Sequence, residues 1–167
     1  MTMHLVDLYP PERSADSDWR LFTDQVMGGI STGTLAPAVY QGSHCLEMLG
    51  DVSLENNGGF VQMRLAIQQT PPETAIGIYL EAAGDQTSFG VHLRTLSLDA
   101  PWQSFRSHFM PTPAWQSFFL PFDQFKAHRT QQDFTLAELR SIGLIAIGKA
   151  GPCQLFVRRM AYYLTAP

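Results

Sequence analysis

From Gly33 onward the chain is cut into short runs rich in apolar, β-branched and aromatic residues, separated by clusters of glycine, proline and asparagine. That cadence constrains the fold most: many short strands at such spacing predict a β-sandwich or barrel. The predicted strands are His4–Leu8, Gly33–Val39, Cys45–Leu49, Gly59–Ile67, Ala75–Ala82 and Ser88–Thr95, then Trp102–Phe109, Gln116–Leu120, Ser141–Ile147 and Cys153–Tyr163. The turn signals are Asn56-Asn57-Gly58-Gly59, Pro71-Pro72, Gly84-Asp85 and Gly151-Pro152. Tyr9–Asp18 reads as a polar loop. One short helix is expected near residues 135–140. Thr135 and Glu138 have capping-box spacing, and about two turns should follow, ending near Arg140. Pro121 to Phe134 is then a long connection, pinned to the core by Phe122 and Phe125.

Length and composition bound the rest. A chain of 167 residues fits one domain, residues 1–167. With 45% apolar and 16% charged residues it is expected to fold as a globule. The apolar run Ile142–Ile147 is far shorter than the roughly 20 residues a membrane helix needs. The first residues carry no basic region, no apolar core of signal-peptide length and no small-residue cleavage site, so the expected location is cytoplasmic. Cys45 and Cys153 are far apart and are expected to be buried free thiols. Net charge is −4, the lysines are Lys126 and Lys149, and the sole basic dipeptide is Arg158-Arg159. That pattern lacks the electrostatic footprint of a nucleic-acid partner.

Strand parity supplies the candidate binding residues, because successive side chains point to opposite faces. In the predicted strands, apolar faces oppose a face bearing Gln62, Arg64, Tyr79, Glu81, His92 and Arg94. This is either the wet face of an antiparallel sheet or a concave binding surface. If the strands are neighbours, Arg64, Glu81 and Arg94 form one cluster.

The stretch "DQVMGGIST" (Asp24–Thr32) raises a separate question. It lacks the lysine and glycine spacing of a phosphate-binding loop, the Gly-x-Gly-x-x-Gly of a dinucleotide turn, and the Gly-x-Ser-x-Gly of a nucleophile elbow. The expected role of Gly28-Gly29 is therefore conformational, a sharp bend. Asp24 either caps that turn or faces a ligand. His4, His44, His92, His108 and His128 are not spaced as zinc ligands, so no metal is expected. Carboxylate pairs of Asp24 with Glu55 or Glu81, and Ser31 or Ser53 with His92, carry no specific catalytic signal. Trp102, Phe105 and Trp115 read mainly as core, with an exposed Trp102 beside Arg106 as the exception to look for.

Several blocks carry a family resemblance. "WRLFTDQVMGGIST" resembles the Trp…Asp-x-Val-Met-Gly-Gly-x-Ser signature of the complex I intermediate-associated protein 30 family, here Trp19, Asp24, Met27, Gly28, Gly29 and Ser31. "LGDVSLENNGGFVQMRL" resembles its second block, with Asn57, Gly58, Gly59, Phe60 and Arg64. "GDQTSFGVHLRT", "WQSFFLPFDQF" and "IGLIAIGKAGPCQLFVRRMAYY" resemble later segments, in order, to about Tyr163. Gln86 and Phe89 depart from the usual glycine and tyrosine.

The resemblance implies an all-β, galactose-binding-like jelly roll of two antiparallel sheets. It implies a non-enzymatic protein-binding role with no cofactor, in the manner of respiratory complex I assembly factors or chaperones. The implied partner is an assembly intermediate of a membrane oxidoreductase. A carbohydrate- or small-molecule-binding, lectin-like module is the alternative. On this reading Asp24 lies at the rim of a surface shared with Asn57, Arg64 and Arg94.

Overall fold

The computed structural model describes residues 4–9 and 19–164. The predicted polar loop from residue 10 to residue 18 lies outside the described residues. The strands are β1 (Leu5–Tyr9), β2 (Trp19–Thr23), β3 (Thr32–Tyr40), β4 (Ser43–Val52), β5 (Phe60–Ala66), β6 (Gly77–Gly84), β7 (Phe89–Thr95), β8 (Ser104–Phe109), β9 (Gln116–Pro121), β10 (Lys126–His128), β11 (Leu139–Ile147) and β12 (Gly151–Tyr163). They form two antiparallel sheets of six strands each. The first runs β3-β4-β12-β6-β9, with β1 beside the second half of β12. The second runs β10-β8-β7-β11-β5-β2. This is a β-sandwich, one of the two folds the strand cadence predicts, and a jelly roll, as the family resemblance implies.

Alternation builds the interior. Val61, Met63 and Leu65 of β5, Phe89, Val91 and Leu93 of β7, and Ile142, Leu144 and Ala146 of β11 face inward. They meet Ile78 and Leu80 of β6 and Leu155, Val157 and Met160 of β12. Each such side chain gains about 1.5–3 kcal/mol on leaving water. A register shift between Val157 and Arg159 interrupts β12. Such a bulge places two successive residues on one face, so Val157 and Met160 stay inside while Arg158 and Arg159 both remain partly exposed. Cys45 and Cys153 are buried free thiols, and burial pushes both up to about 11.

The structure departs from the sequence expectation in three places. Trp19–Thr23 is a full edge strand. The connection after Pro121 contains a 3-10 turn and the short strand β10, although Phe125 is buried and Phe122 packs on the core as expected. The expected helix is a single 3-10 turn, Leu136–Glu138. The Thr135 side chain caps nothing, and only its carbonyl accepts the Glu138 amide. With β11 beginning at Leu139, no room is left for a second turn.

One end of the sandwich is tied by a carboxylate. After β2 the chain makes a 3-10 turn, Asp24–Met27, closed by Gly28 in the left-handed region at φ 88°. Asp24 is 0% exposed. Its Oδ1 accepts the Ser31 amide at 3.0 Å, and its Oδ2 accepts the Ser31 hydroxyl and the amides of Gly59 and Phe60. Ser31 Oγ in turn accepts the Ser53 amide at 2.9 Å. The starts of β3 and β5 are thus held by Asp24, and the end of β4 by Ser31. Gly29 and Gly58 are its walls: a Cβ would fall 2.3 Å from Oδ1 at Gly29 and 2.6 Å from Oδ2 at Gly58. Burial alone would raise the Asp24 carboxyl, but the Ser31 hydroxyl and the three amides outweigh it and hold the group below its ordinary value.

The knot makes three predictions. Asp24→Ala strands three amides and a hydroxyl, and chemical denaturation should show a loss of about 3–6 kcal/mol. Gly29→Ala should also destabilise, but by less in the Asp24→Ala background, because the carboxylate it collides with is gone. Because the folded carboxyl is depressed, its stabilisation is complete above the unfolded value of about 3.9 and is lost as pH falls through the folded value. Stability of Asp24→Asn should therefore decline less steeply below pH ~4 than that of the wild type. An identical acid limb would show that the carboxylate is not held as described.

Candidate functional site

The candidate binding residues fall into three separate places. Asp24 lies inside the knot with its oxygens taken up by the protein, so it is not at the rim of a surface. Asn57 ends the 3-10 turn Glu55–Asn57 at the same end of the sandwich. Tyr79 and Glu81 stand on β6, while Arg64, His92 and Arg94 stand on β5 and β7 of the opposite sheet. The expected cluster of Arg64, Glu81 and Arg94 therefore does not form. Parity placed each side chain outside, but the two outer faces belong to different sheets.

On the first sheet both arginines are paired with acids. Arg158 Nε donates to Glu81 Oε1 at 2.7 Å, and Arg159 Nε donates to Asp7 Oδ1 at 2.7 Å. Tyr79 donates its hydroxyl to Glu81 Oε2 at 2.6 Å and packs on Phe119. Trp115 lies under the Arg158 guanidinium, 4.7 Å from its centre, and touches Tyr40 edge-on. Ser31 is buried with its hydroxyl committed, which leaves it no role as a nucleophile.

The second sheet is different. Its six strands contain no aspartate or glutamate, yet they carry Arg20, Arg64, Arg94, Arg106, Lys126 and Arg140 with His92, His108 and His128. The registers place Lys126, Arg106, His92, Gly143, Arg64 and Arg20 side by side in one row across all six strands. Like charges directly opposite one another are unfavourable. Gly143 makes room in that row: a Cβ there would lie 2.1 Å from Gln62 Oε1, which receives Arg64 Nε at 3.3 Å. The Arg64 guanidinium stacks 4.3 Å over the Phe22 ring. Burial, then Arg106, His128 and Arg64, push His92 down to about 3, so it is neutral at physiological pH.

Within this face Arg20, Phe22, Arg64, Ala66, Arg94, Arg140 and Ser141 line a cleft of about 230 Å³. A wider polar recess of about 550 Å³ lies between the loops after β7 and β10 and holds both Asp99 and Arg129. Parity named Arg64, His92 and Arg94 but missed Arg20 and Arg140. Arg20 lies on β2, whose Trp-Arg-Leu-Phe alternation is the sequence signal for a strand there. Arg140 had been assigned to the end of a helix.

The end of the sandwich around Asp24 has the opposite character. Val26 is 72% and Met27 61% exposed, although both belong to the turn whose aspartate is fully buried. Ile30, Leu54 and Ile147 are exposed as well. They sit at the same end, because Gly59 lies against Leu54 and its carbonyl accepts the Gly148 amide at 2.9 Å. Among the described residues no group of three histidine, cysteine or acidic side chains is placed to hold a metal ion. No helix among them is long and apolar enough to cross a membrane.

A search of curated proteins returns no match. Among solved structures, the family 11 carbohydrate-binding module of the cellulosomal cellulase Lic26A-Cel5E of Clostridium thermocellum is similar with a TM-score of 0.76, over 97% of this chain and 96% of that one at 9% identity. The family 11 module from the same organism in complex with a β-1,3-1,4-mixed-linked tetrasaccharide gives 0.71, over 96% and 95% at 10% identity. The family 30 module of cellulosomal cellulase Cel9D-Cel44B, also of that organism, gives 0.66, over 94% and 96% at 13% identity. At such identities the likeness is one of fold. The family profile of Complex I intermediate-associated protein 30 (CIA30) matches residues 8–157, nearly the whole chain. The knot of Asp24, Gly29, Ser31, Gly58 and Gly59 is thus built from the blocks that carry the resemblance, and the chain belongs to the Complex I intermediate-associated protein 30 family.

Proposed function

We propose that the chain is a non-enzymatic protein-binding module, and that the end of the sandwich around Asp24 docks an apolar surface of an unfinished membrane oxidoreductase. The supporting observation is the inverted turn. A carboxylate is taken out of water, at a desolvation cost met by its hydrogen bonds, and the apolar side chains of the same turn are held outside. Exposed apolar groups on a rigid frame are the usual mark of an interaction site. Partly built complexes expose apolar surface that the finished complex covers, so a partner of this kind matches the patch. Membership of the CIA30 family supports the same reading.

The test is affinity purification of the tagged wild type beside a Val26→Ser/Met27→Ser double variant, with mass spectrometry of co-eluting proteins. Both residues are exposed, so the variant should keep wild-type thermal stability. Membrane oxidoreductase subunits should co-elute with the wild type and be lost from the variant. Their retention by the variant, or their absence from both, would overturn the reading. So would concentration-dependent dimerisation abolished by the same pair, which would make a second copy the occupant.

A second reading, a carbohydrate- or small-molecule-binding module, has one observation in its favour: Trp102 is 59% exposed and could present a ring to a sugar. Against it, Phe22 on the arginine-rich face is already covered by Arg64. Titration calorimetry with a panel of neutral oligosaccharides should give no saturable heat. Heat that disappears in Trp102→Ala would favour this second reading over the first.

A further inference from the structure

The arginine-lined cleft on the second sheet has no role in docking at the Asp24 end. Groups removed from water with their charge intact are normally paired with an opposite charge. Around Arg64 and Arg94 the charged groups that perturb them are other cations. Burial lowers the pKa of the Arg64 guanidinium, and the nearby charges of Arg94 and Arg140 lower it further; burial and then Arg140 do the same for Arg94. Two half-buried guanidinium groups thus share one cleft with Arg140. The ion pairs found among the described residues belong to Arg158 and Arg159 on the other sheet.

The arrangement is also pre-oriented. Arg64 is fixed by the Phe22 ring beneath it and by Gln62 Oε1. Arg94 donates one terminal NH₂ to the Ala100 carbonyl at 3.1 Å, while its Nε is buried with no hydrogen-bond partner. Arg140 is exposed at the edge, and Ser141 adds a hydroxyl to the lining. Planar guanidinium forks suit oxyanions, which they bind through two parallel hydrogen bonds.

We propose that this cleft binds a dianionic oxyanion group of the phosphate-monoester class, held by Arg64, Arg94 and Arg140. Two negative charges match several convergent cations better than the single charge of a carboxylate. A cleft of about 230 Å³ lies below the roughly 300–1,000 Å³ of sites that enclose a whole small molecule. It therefore takes a head group and leaves the remainder of the ligand over the sheet. The same group occurs on soluble phosphate esters and on phosphatidic acid, and the chemistry of the cleft is shared by both.

The test is calorimetry of the full chain with inorganic phosphate in low-salt buffer, with ¹H–¹⁵N spectra of the arginine Nε–H groups recorded in parallel. Phosphate should bind saturably at one site and shift the Arg64 and Arg94 Nε–H resonances. Arg140→Gln, an exposed change that should leave the fold intact, should weaken binding about tenfold or more. Arg158→Gln, on the other sheet, should leave it unchanged. The Val26→Ser/Met27→Ser variant should also bind phosphate normally, so failure of the docking reading and failure of this one are distinguishable.

Glycerol 3-phosphate that binds with the same arginine dependence would identify a soluble source. Arginine-dependent binding to vesicles containing phosphatidic acid, tighter than to glycerol 3-phosphate and absent with phosphatidylcholine vesicles, would identify the lipid; with phosphate binding in place, either supports the cleft. The proposal is overturned if the wild type shows no saturable binding up to about 10 mM phosphate. It is equally overturned if Arg64→Gln and Arg140→Gln bind as the wild type does, or if chloride at matched ionic strength reproduces the effect.

Discussion

The Asp24 carboxylate is the interaction on which the rest of the architecture depends. It sits where β2 of one sheet hands the chain to β3 of the other, and it gathers the amides that begin β3 and β5. Ser31 extends the same network to the Ser53 amide at the end of β4. Without those acceptors three buried backbone groups would be left unpaired, and buried amides without partners are rare because each is costly. The loops at this end therefore have one geometry. A flexible apolar loop would collapse onto the core; this one is kept out.

The two sheets share an interior but not an exterior. On the first, a bulge turns Arg158 and Arg159 outward onto Glu81 and Asp7, and aromatic rings fill the space between. On the second, arginines and histidines stand in neighbouring strands that carry no acid. A net charge of −4 conceals this division. Among the described residues the acids lie in the loops and on the first sheet, so the second sheet is a basic flank inside an acidic whole. Surface pairs of the kind seen on the first sheet add little to stability. What they do is neutralise that face, and its contrast with the other face sets where an anion is drawn.

Much of this was legible in the sequence. Regular punctuation by glycine, proline and asparagine predicted the strands of the sandwich, and the limits of most fall within two residues of those observed. The two strands that were missed have plain causes. "WRLFT" is short and stands beside a motif that drew attention as a turn, and "KAH" is too short for any period to show. Thr135 and Glu138 met the spacing of a capping box, yet β11 claims Leu139 onward, and sheet pairing overrode the local signal. Parity identified outward residues correctly but could not say which sheet each belonged to, so Glu81 was grouped with Arg64 and Arg94. The basic face escaped notice for the same reason. Its cations occur singly on different strands, and only the pairing registers bring them into a row. Burial of Asp24 had a trace in the sequence: glycines at 29 and 58 leave space that only a packed group would need.

The long strand β12 spans 13 residues and pairs with β4, β1 and β6. Among the described strands it is also the last in chain order. During synthesis the hairpin of β3 and β4, the strand β1, and the pair of β6 and β9 must each wait, with an unpaired edge, until residues 151–163 leave the ribosome. Pairings so distant in sequence form slowly, and open edges in the interval invite association with other chains. Completion of the first sheet is therefore gated by β12, and its most vulnerable interval is the one before residues 151–163 emerge.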